Sequence, residues 1–341
     1  MDKSAHGEPA PAAGAVLAAF GLRGPVRSMT PVAGAWSNRV WRLSTVSGCY
    51  AVKQLLNPFG ETRWRERLDA AFTFELAAQS LGVAMPRPVP TTDGDCVADV
   101  AATDGSTVPV RVHRWVDGRP MDREPVELPV AAWVGRTLAR LHRLDVRPPD
   151  RSVFPSLHTS SVDGWSTLVA DASAAGAPWV AELAAVQPLV GRVAALVRRA
   201  RTDRQVERMA HGDIDQKNML MTRGSPVLCD FDVAHPMQRR SELADVALSM
   251  GCWQSPVVGR AVLSSYSGAR GPASTTLRPT DLARSLVSAL DWLTLCARRS
   301  LEDPLAGDDV AGLCRRLRLK IEAANRLADL TPVPMVTMLR R

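Results

Sequence analysis

The sequence predicts an α+β protein of two lobes, a small β-rich N-terminal lobe and a larger α-helical C-terminal lobe. Three observations predict it. From about Pro25 to Val116 the chain reads as short apolar strands separated by turns. After Asp117-Gly118 the apolar spacing becomes helical. One further hairpin then interrupts the helical half: Met219 to Met221 and Val227 to Phe231 flank Thr222-Arg223-Gly224-Ser225-Pro226.

Taken in order, Ala12 to Leu22 reads as a short helix after a Pro/Ala/Gly-rich tail. Asp2 and Glu8 before it and glycines within it do not suit a secretory signal. Val32 to Leu43 and Cys49 to Leu56 form a predicted hairpin about Thr45-Val46-Ser47-Gly48. A helix follows through Glu61 to Leu81, stopped by Gly82 and then Pro86 and Pro88. Cys96 to Ala102 and Thr107 to Trp115 flank the turn Thr103-Asp104-Gly105-Ser106 as two more strands. In the second half, Val130 to Leu144, Ser166 to Arg201 and Asp281 to Arg299 carry helical spacing.

Composition narrows the function classes. The 341 residues are 46% hydrophobic and 23% charged, ordinary for a globular chain long enough for a full core. No apolar run of the ~18 residues a membrane span needs stands out. The six cysteines (49, 96, 229, 252, 296 and 314) form no C-x-x-C pair and no zinc-like spacing, which suits reduced thiols in the cytoplasm. The net charge of +7 comes from arginines spread over helical stretches, without a nucleic-acid-binding motif, so solvated helix faces account for it. Of 42 basic residues only Lys3, Lys53, Lys217 and Lys320 are lysine. Each retained lysine therefore invites a specific chemical reason.

The strongest chemical signal is His211-Gly212-Asp213-Ile214-Asp215-Gln216-Lys217-Asn218, followed across the hairpin by Asp230-Phe231-Asp232. Phosphoryl transfer needs a carboxylate to take the proton of the attacking hydroxyl. It also needs oxygen ligands to hold the hard ion Mg²⁺ against phosphates. An Asp with an Asn five residues later, and a second Asp beyond a hairpin, supplies both. Any one of these residues alone is an ordinary turn cap. The whole pattern in a strand-turn-strand context is much more specific.

This pattern resembles the aminoglycoside phosphotransferase and choline kinase family, within the protein-kinase-like superfamily, and the resemblance extends over most of the chain. It implies a two-lobed kinase-like fold, with a flexible tail at 1–14 and a nucleotide-binding lobe at 15–111. A hinge at 112–118 and a helical lobe at 119–341 carrying the catalytic loop and substrate site complete it. It implies Asp213 as catalytic base and Asn218 and Asp230 as magnesium ligands. His211 and His142 take structural roles, and an aspartate within Ser241-Glu242-Leu243-Ala244-Asp245 braces the catalytic loop. Lys53, in Ala51-Val52-Lys53, resembles the strand lysine that pairs with ATP phosphates, with Glu75 as its ion-pair partner and Glu66 a weaker one. Ser37 and Asn38, in Ala33-Gly34-Ala35-Trp36-Ser37-Asn38-Arg39, fall on the phosphate-covering loop, where an ordinary β-turn stays open. Arg114 and Val116 fall where backbone atoms meet adenine.

Departures set limits. A protein kinase would show H-R-D, a lysine two residues on, D-F-G and a later A-P-E. Here Gly212, Asp215 and Asp232 take the first three places and no A-P-E follows, which argues against protein substrates. The expected reaction is ATP- and Mg²⁺-dependent O-phosphorylation of a small hydroxylated molecule, with GTP open as donor and neither nucleic acid nor membrane as partner. An antibiotic or related natural product (aminoglycoside-, nucleoside- or sugar-containing) is the first expectation. A primary metabolite such as choline, a sugar or homoserine is the alternative, and a nucleotide-binding pseudokinase regulator a third. Asp215, Trp253 and Trp292 are the substrate-binding candidates, the tryptophans as faces for a cationic group. Plain core packing is the competing role for both.

Overall fold

The computed structural model describes residues 9–33, 38–56, 62–155, 157, 164–202, 206–303 and 307–330. The chain divides into two compact units, one of residues 1–121 with 218–235 and one of residues 122–217 with 236–341. The hairpin after the catalytic-loop motif thus groups with the strands of the first unit, although a boundary at 119 leaves it in the helical half.

The first unit is built on an antiparallel sheet of β1 (Val26–Val32), β2 (Asn38–Thr45), β3 (Gly48–Leu55), β4 (Pro88–Val89), β5 (Ala98–Ala101) and β6 (Thr107–Arg114). The strand order is β1-β2-β3-β6-β4, with β5 also paired to β6. Successive side chains on a strand alternate between faces. Trp41 and Leu43, Tyr50 and Val52, and Val110 and Val112 therefore share one face and pack with Val16 of α1 (Ala13–Ala19) and Phe20 at its C-terminal end. Full burial of each large apolar side chain contributes about 1.5–3 kcal/mol. The same alternation sends Lys53 of β3 and Arg111 and His113 of β6 to the other face, where the register sets Lys53 opposite Arg111. The helix α2 (Trp64–Ser80) buries Phe74 and Glu75 and supplies the partner for Arg111 on that face.

Local stops fall where the sequence signals them. The β2–β3 turn closes on Gly48, with the Ser47 N–H donating to Thr45 Oγ1 at 3.1 Å. After α2 the chain reverses at Gly82, whose φ of 70° favours a residue without a Cβ, and the Val83 N–H returns to the Ala78 carbonyl. The tail is tied down earlier than expected. Ala12 donates to the Ala101 carbonyl, Thr103 donates to the Ala10 carbonyl, and Pro11 bridges Ala102, so residues 10–12 extend the sheet edge. A second small sheet orders β10 (Pro226–Leu228), β9 (Met219–Met221) and β7 (Arg119–Pro120).

The second unit contains α3 (Leu128–Arg143), α4 (Trp165–Ala174), α5 (Val180–Ala200), α6 (Arg239–Ser249), α7 (Pro256–Gly268), α8 (Ala283–Glu302) and α9 (Val310–Asn325). A short strand β8 (Glu207–Ala210) pairs with β11 (His235–Gln238). The single helical stretch read from Ser166 to Arg201 is two helices. Gly176, at φ 63°, and Pro178 interrupt it, because the first stabilises a left-handed turn and the second lacks the N–H a continuing helix requires. The expectation that no segment is apolar enough to span a membrane also needs correcting. By length and composition α5 is, with a mean hydropathy of 1.6. Leu183, Val186, Val190, Val193 and Val197 form a buried stripe along it, spaced for one helix face, as in a helix packed within a unit.

Gly135 marks a close helix crossing in this unit. A Cβ there would lie 2.3 Å from the Val262 carbonyl oxygen and 2.9 Å from the Tyr266 nitrogen, both backbone atoms of α7. Alanine favours a helix over glycine by about 1 kcal/mol, but forcing these backbones apart costs about 1–3 kcal/mol. Gly135→Ala is expected to be net destabilising. A lower urea midpoint with an unchanged slope would show it, and a raised midpoint would refute so close a crossing.

Candidate active site

In the first unit, charged side chains of alternating sign form a continuous ladder. Lys53 Nζ lies 2.5 Å from Asp230 Oδ1 and 2.7 Å from Asp232 Oδ2. Asp232 Oδ1 accepts from Arg111 Nη1, and Arg111 Nη2 reaches Glu75 Oε2 at 2.6 Å. His113 Nε2 closes the series 2.9 Å from Glu75 Oε1. The Arg111 guanidinium also lies 5.5 Å from the Phe72 ring centroid. Arg111 and Glu75 are each about 1% exposed, so neither charge would be tolerated without its partners.

The pairing sets the protonation states. Burial alone would lower the Lys53 pKa, but the negative charges of Asp230 and Asp232 overcome it and hold the ammonium above its ordinary value. Burial would raise Asp232, but Arg111 and Lys53 keep it well below the usual carboxylate range. Glu75 is likewise lowered, against burial, by its hydrogen bond and charge interaction with His113 and by Arg111. The expected Lys53–Glu75 pair is therefore replaced by Lys53–Asp232 and Arg111–Glu75. The cause is local: the second aspartate of D-F-D takes the lysine, while Glu75 answers the arginine that the β3–β6 register sets opposite Lys53. Glu66 pairs with Arg63 on the helix surface.

The hairpin brings the two expected metal ligands to one end. Met219 pairs with Leu228, and the Cys229 N–H donates to the Asn218 carbonyl at 2.8 Å, so Asn218 and Asp230 flank the same end of the ladder. Asn218 is buried. Asp230 sits at φ 64°, ψ 57°, a left-handed conformation that Asp tolerates better than most residues and that recurs at functional positions. Among the described residues, no group of three His, Cys, Asp or Glu forms an all-protein metal cage. One carboxylate and one amide oxygen beside a lysine suit Mg²⁺ shared with phosphates, which takes few protein ligands.

The remaining nucleotide candidates have structural partners. Asn38 Oδ1 accepts from the Leu56 N–H at 3.3 Å, closing the open end of the β2–β3 hairpin. Ser37 lies outside the described residues. The Arg114 N–H donates to the Arg87 carbonyl at 2.8 Å, because β4 pairs with this end of β6, which leaves the adenine expectation to its carbonyl. Its guanidinium stacks 4.7 Å from the Tyr50 ring centroid and donates to the Tyr50 hydroxyl. Val116 lies half-buried in the extended segment that follows β6.

The second unit holds the catalytic-loop motif. β8 leads into His211, which is fully buried, and Gly212 turns the chain at φ 78°. The Gly212 N–H donates to Glu242 Oε1 at 2.8 Å, and Glu242 Oε2 lies 2.8 Å from His142 Nε2. His142 Nδ1 in turn meets the Tyr266 hydroxyl at 2.7 Å. The carboxylate bracing the loop is thus a glutamate, Glu242, and not Asp245, the aspartate of the same segment. Asp245 is half-buried and accepts from Ser285, and its removal from water raises its pKa. Gln216 Nε2 donates to the Glu124 and Ser249 carbonyls, and Ser249 Oγ donates to the Ile214 carbonyl, which fixes the loop's far side.

Within this frame Lys217 Nζ lies 2.8 Å from Asp213 Oδ1 and 3.4 Å from Asp215 Oδ2. The Lys217 N–H also donates to Asp215 Oδ1 at 2.9 Å, an Asx-type turn. Burial pushes the Asp215 pKa up, against the attraction of Lys217. Trp253, expected as a face for a substrate cation, already carries one: Lys320 Nζ lies 4.3 Å from its ring centroid and 3.2 Å from Ser285 Oγ. Trp292 lies half-buried on α8.

Glu242→Ala is expected to leave the Gly212 N–H and the His142 ring nitrogen without their buried acceptor, at about 1–3 kcal/mol each. Burial would raise the Glu242 pKa, but the His142 hydrogen bond and charge interaction and the Gly212 N–H hold it below its ordinary value. Its contribution is therefore present above the unfolded carboxylate value of about 4.3 and is lost as pH falls through the lower folded value. Thermal melts of wild type and variant should differ widely at pH 7 and converge below that value. A constant gap would contradict the assignment.

Arg111, Asp232, Lys217 and Glu242 make the pairings around the candidate site to which sequence reasoning gave no role. Two left signals: an arginine inside the valine alternation of Val108 to Val112, and Lys217 as one of four lysines.

The profile of the phosphotransferase enzyme family (APH) matches residues 28–279. No curated protein sequence matches significantly. Among solved structures, spectinomycin phosphotransferase APH(9)-Ia in complex with ADP and spectinomycin is similar, with a TM-score of 0.62 at 12% identity, covering 92% of this chain and 97% of that one. Amicoumacin kinase hAmiN, in complex with AMP-PNP, Ca²⁺ and Ami, has a TM-score of 0.62 at 13% identity, covering 93% and 92%. Choline kinase LicA from Streptococcus pneumoniae has a TM-score of 0.59 at 15% identity, covering 88% and 94%. At these identities the likeness establishes the kinase-like fold.

Proposed function

The chain belongs to the phosphotransferase enzyme family, as a kinase of small-molecule type, and from this premise we propose that it transfers the γ-phosphoryl group of ATP to a hydroxyl of an antibiotic or related natural product. The observation that carries the reading is the Lys53–Asp230 pair with Asn218 at the same hairpin end, in a chain whose catalytic loop presents Asp213. In this reading Lys53 neutralises phosphate charge, and Asn218 and Asp230 would hold Mg²⁺. The ion, when bound, supplies charge neutralisation at the phosphates. Asp213 orients the acceptor hydroxyl and takes its proton. The backbone at Arg114 and Val116 is the candidate adenine contact.

The spectinomycin phosphotransferase structure holds ADP and spectinomycin, and the amicoumacin kinase structure holds AMP-PNP and Ami, which supports ATP as donor. The choline kinase neighbour keeps the primary-metabolite reading in view, but Lys320 over Trp253 disfavours a quaternary ammonium at that ring. Six free cysteines suit a cytoplasmic setting. Coupled ADP release with Mg-ATP, screened over aminoglycosides, spectinomycin, nucleoside and macrolide antibiotics, choline and amino sugars, tests the proposal. Acceptor-dependent ADP release supports it. Mg-ATP binding without stimulation by any compound would shift the reading to a pseudokinase regulator.

A further inference from the structure

We propose that Lys320, Ser285 and Asp245 form a dipolar subsite that selects an acceptor carrying both a carboxylate and an amine; its role as acceptor site rests on the phosphotransfer reading above. The three side chains come from α9, α8 and α6 of the second unit, and all are half-buried. Lys320 Nζ donates to Ser285 Oγ at 3.2 Å, and Ser285 Oγ donates to Asp245 Oδ1. An ammonium has three donors, and among the described residues Lys320 pairs with no carboxylate, so two of its donors remain unused. Asp245 uses Oδ1 for Ser285 and keeps Oδ2.

The cluster adjoins the catalytic loop within the same unit. Removal from water raises the Asp245 pKa, Lys320 and the Ser285 hydroxyl oppose that, and the negative charge of Asp213 adds to it. Exposed charges are screened beyond about 10 Å, so Asp245 and the proposed base are neighbours. The Trp253 ring covers Lys320 and is presented by a strained turn. Cys252 and Trp253 stand in succession at φ 51° and 64°, left-handed conformations that a bulky side chain rarely adopts. Gln216 of the catalytic loop holds that turn through the Ser249 and Met250 carbonyls. Strain of this kind persists where the surrounding structure fixes a functional group. A ligand carboxylate fits the ammonium and a ligand amine fits Asp245, each through a charge-assisted hydrogen bond. A polycation would instead meet the like charge of Lys320. The acceptor class is therefore a hydroxylated zwitterion. A competing account has Lys320 only packing on Trp253 and offsetting Asp245, and it gives no preference among ligands.

The test uses a matched set of six-carbon polyols that differ in charge: glucosaminate with both groups, gluconate with the carboxylate, glucosaminitol with the amine and glucitol with neither. Calorimetry without nucleotide reads their binding to the full chain, as wild type, Lys320→Met, Lys320→Arg and Asp245→Asn, beside thermal melts. The wild type should bind glucosaminate tightest. Lys320→Met should weaken glucosaminate and gluconate about 10–100-fold, as expected for a lost hydrogen bond between charged groups, and spare the other two. Lys320→Arg should retain most of that binding. Asp245→Asn should weaken glucosaminate and glucosaminitol and spare gluconate and glucitol. Equal losses across the set, a lowered melt with the ranking unchanged, or a wild type indifferent to the carboxylate would overturn the subsite. Because nucleotide is absent, the subsite can fail while acceptor-dependent ADP release stands. Charge-selective binding by a protein that releases ADP with no acceptor would overturn the phosphotransfer reading instead.

Discussion

Replacing Asp213 by alanine is expected to lower kcat by about 10²–10⁴-fold, the range that a positioned general base contributes. Mg-ATP binding should stay near wild type. The proposed phosphate and metal contacts, Lys53, Asn218 and Asp230, all belong to the first compact unit, whereas Asp213 belongs to the second. Asp213 is also partly exposed, and Glu242, Gln216 and Ser249 hold the loop independently of its side chain. The loss should therefore appear in turnover and not in folding. Steady-state ADP release, nucleotide binding by calorimetry and a thermal melt separate the three quantities. Wild-type turnover in the variant would remove Asp213 from the mechanism.

Replacing Arg111 by leucine should produce the largest loss of stability, about 3–5 kcal/mol, because it leaves two buried carboxylates without a shared partner. Arg111 bridges Asp232 and Glu75, and its side chain and Glu75's are about 2% exposed. Removing the whole ladder in favour of apolar side chains would be far milder, since the cost lies in the uncompensated charge. The sign of the pH dependence follows. In the wild type Asp232 and Glu75 are held below their ordinary values, so their contribution is present above about pH 4 and is lost as pH falls through the folded values. In the variant burial meets less opposition, both carboxyls titrate higher, and protonation relieves the unpaired charge. The stability gap between the two proteins should narrow as pH falls from 7 toward 4. Denaturant unfolding across that range measures it, and a gap that widens would contradict the ladder.

Much of the architecture was legible because it depends on local spacing. The Thr45–Gly48 turn, the stop at Gly82 and the 219–228 hairpin all fall where turn residues and alternation predict them. The break at Gly176 and Pro178 was legible too, but the apolar spacing on either side masked it. The catalytic-loop motif and the expected carboxyl and amide ligands linked by the hairpin could be read as a chemical set because their separation along the chain is short.

Partner choice among the charges was not legible in the same way. A motif names a lysine and a glutamate, but Lys53 meets Asp232, 179 residues away, and Glu75 meets Arg111 on another strand. Strand register sets those pairings: a shift of one residue would send Arg111 to the opposite face. Similarly, Glu242 and Asp245 stand three residues apart on one helix, and only the direction of α6 selects Glu242 for Gly212 and Asp245 for Ser285. The chemistry and element order of this protein are local properties of its chain, written in residue type and spacing. Which charge answers which depends on packing, because electrostatic partners are chosen by distance in three dimensions and by burial, and neither is a function of separation along the chain.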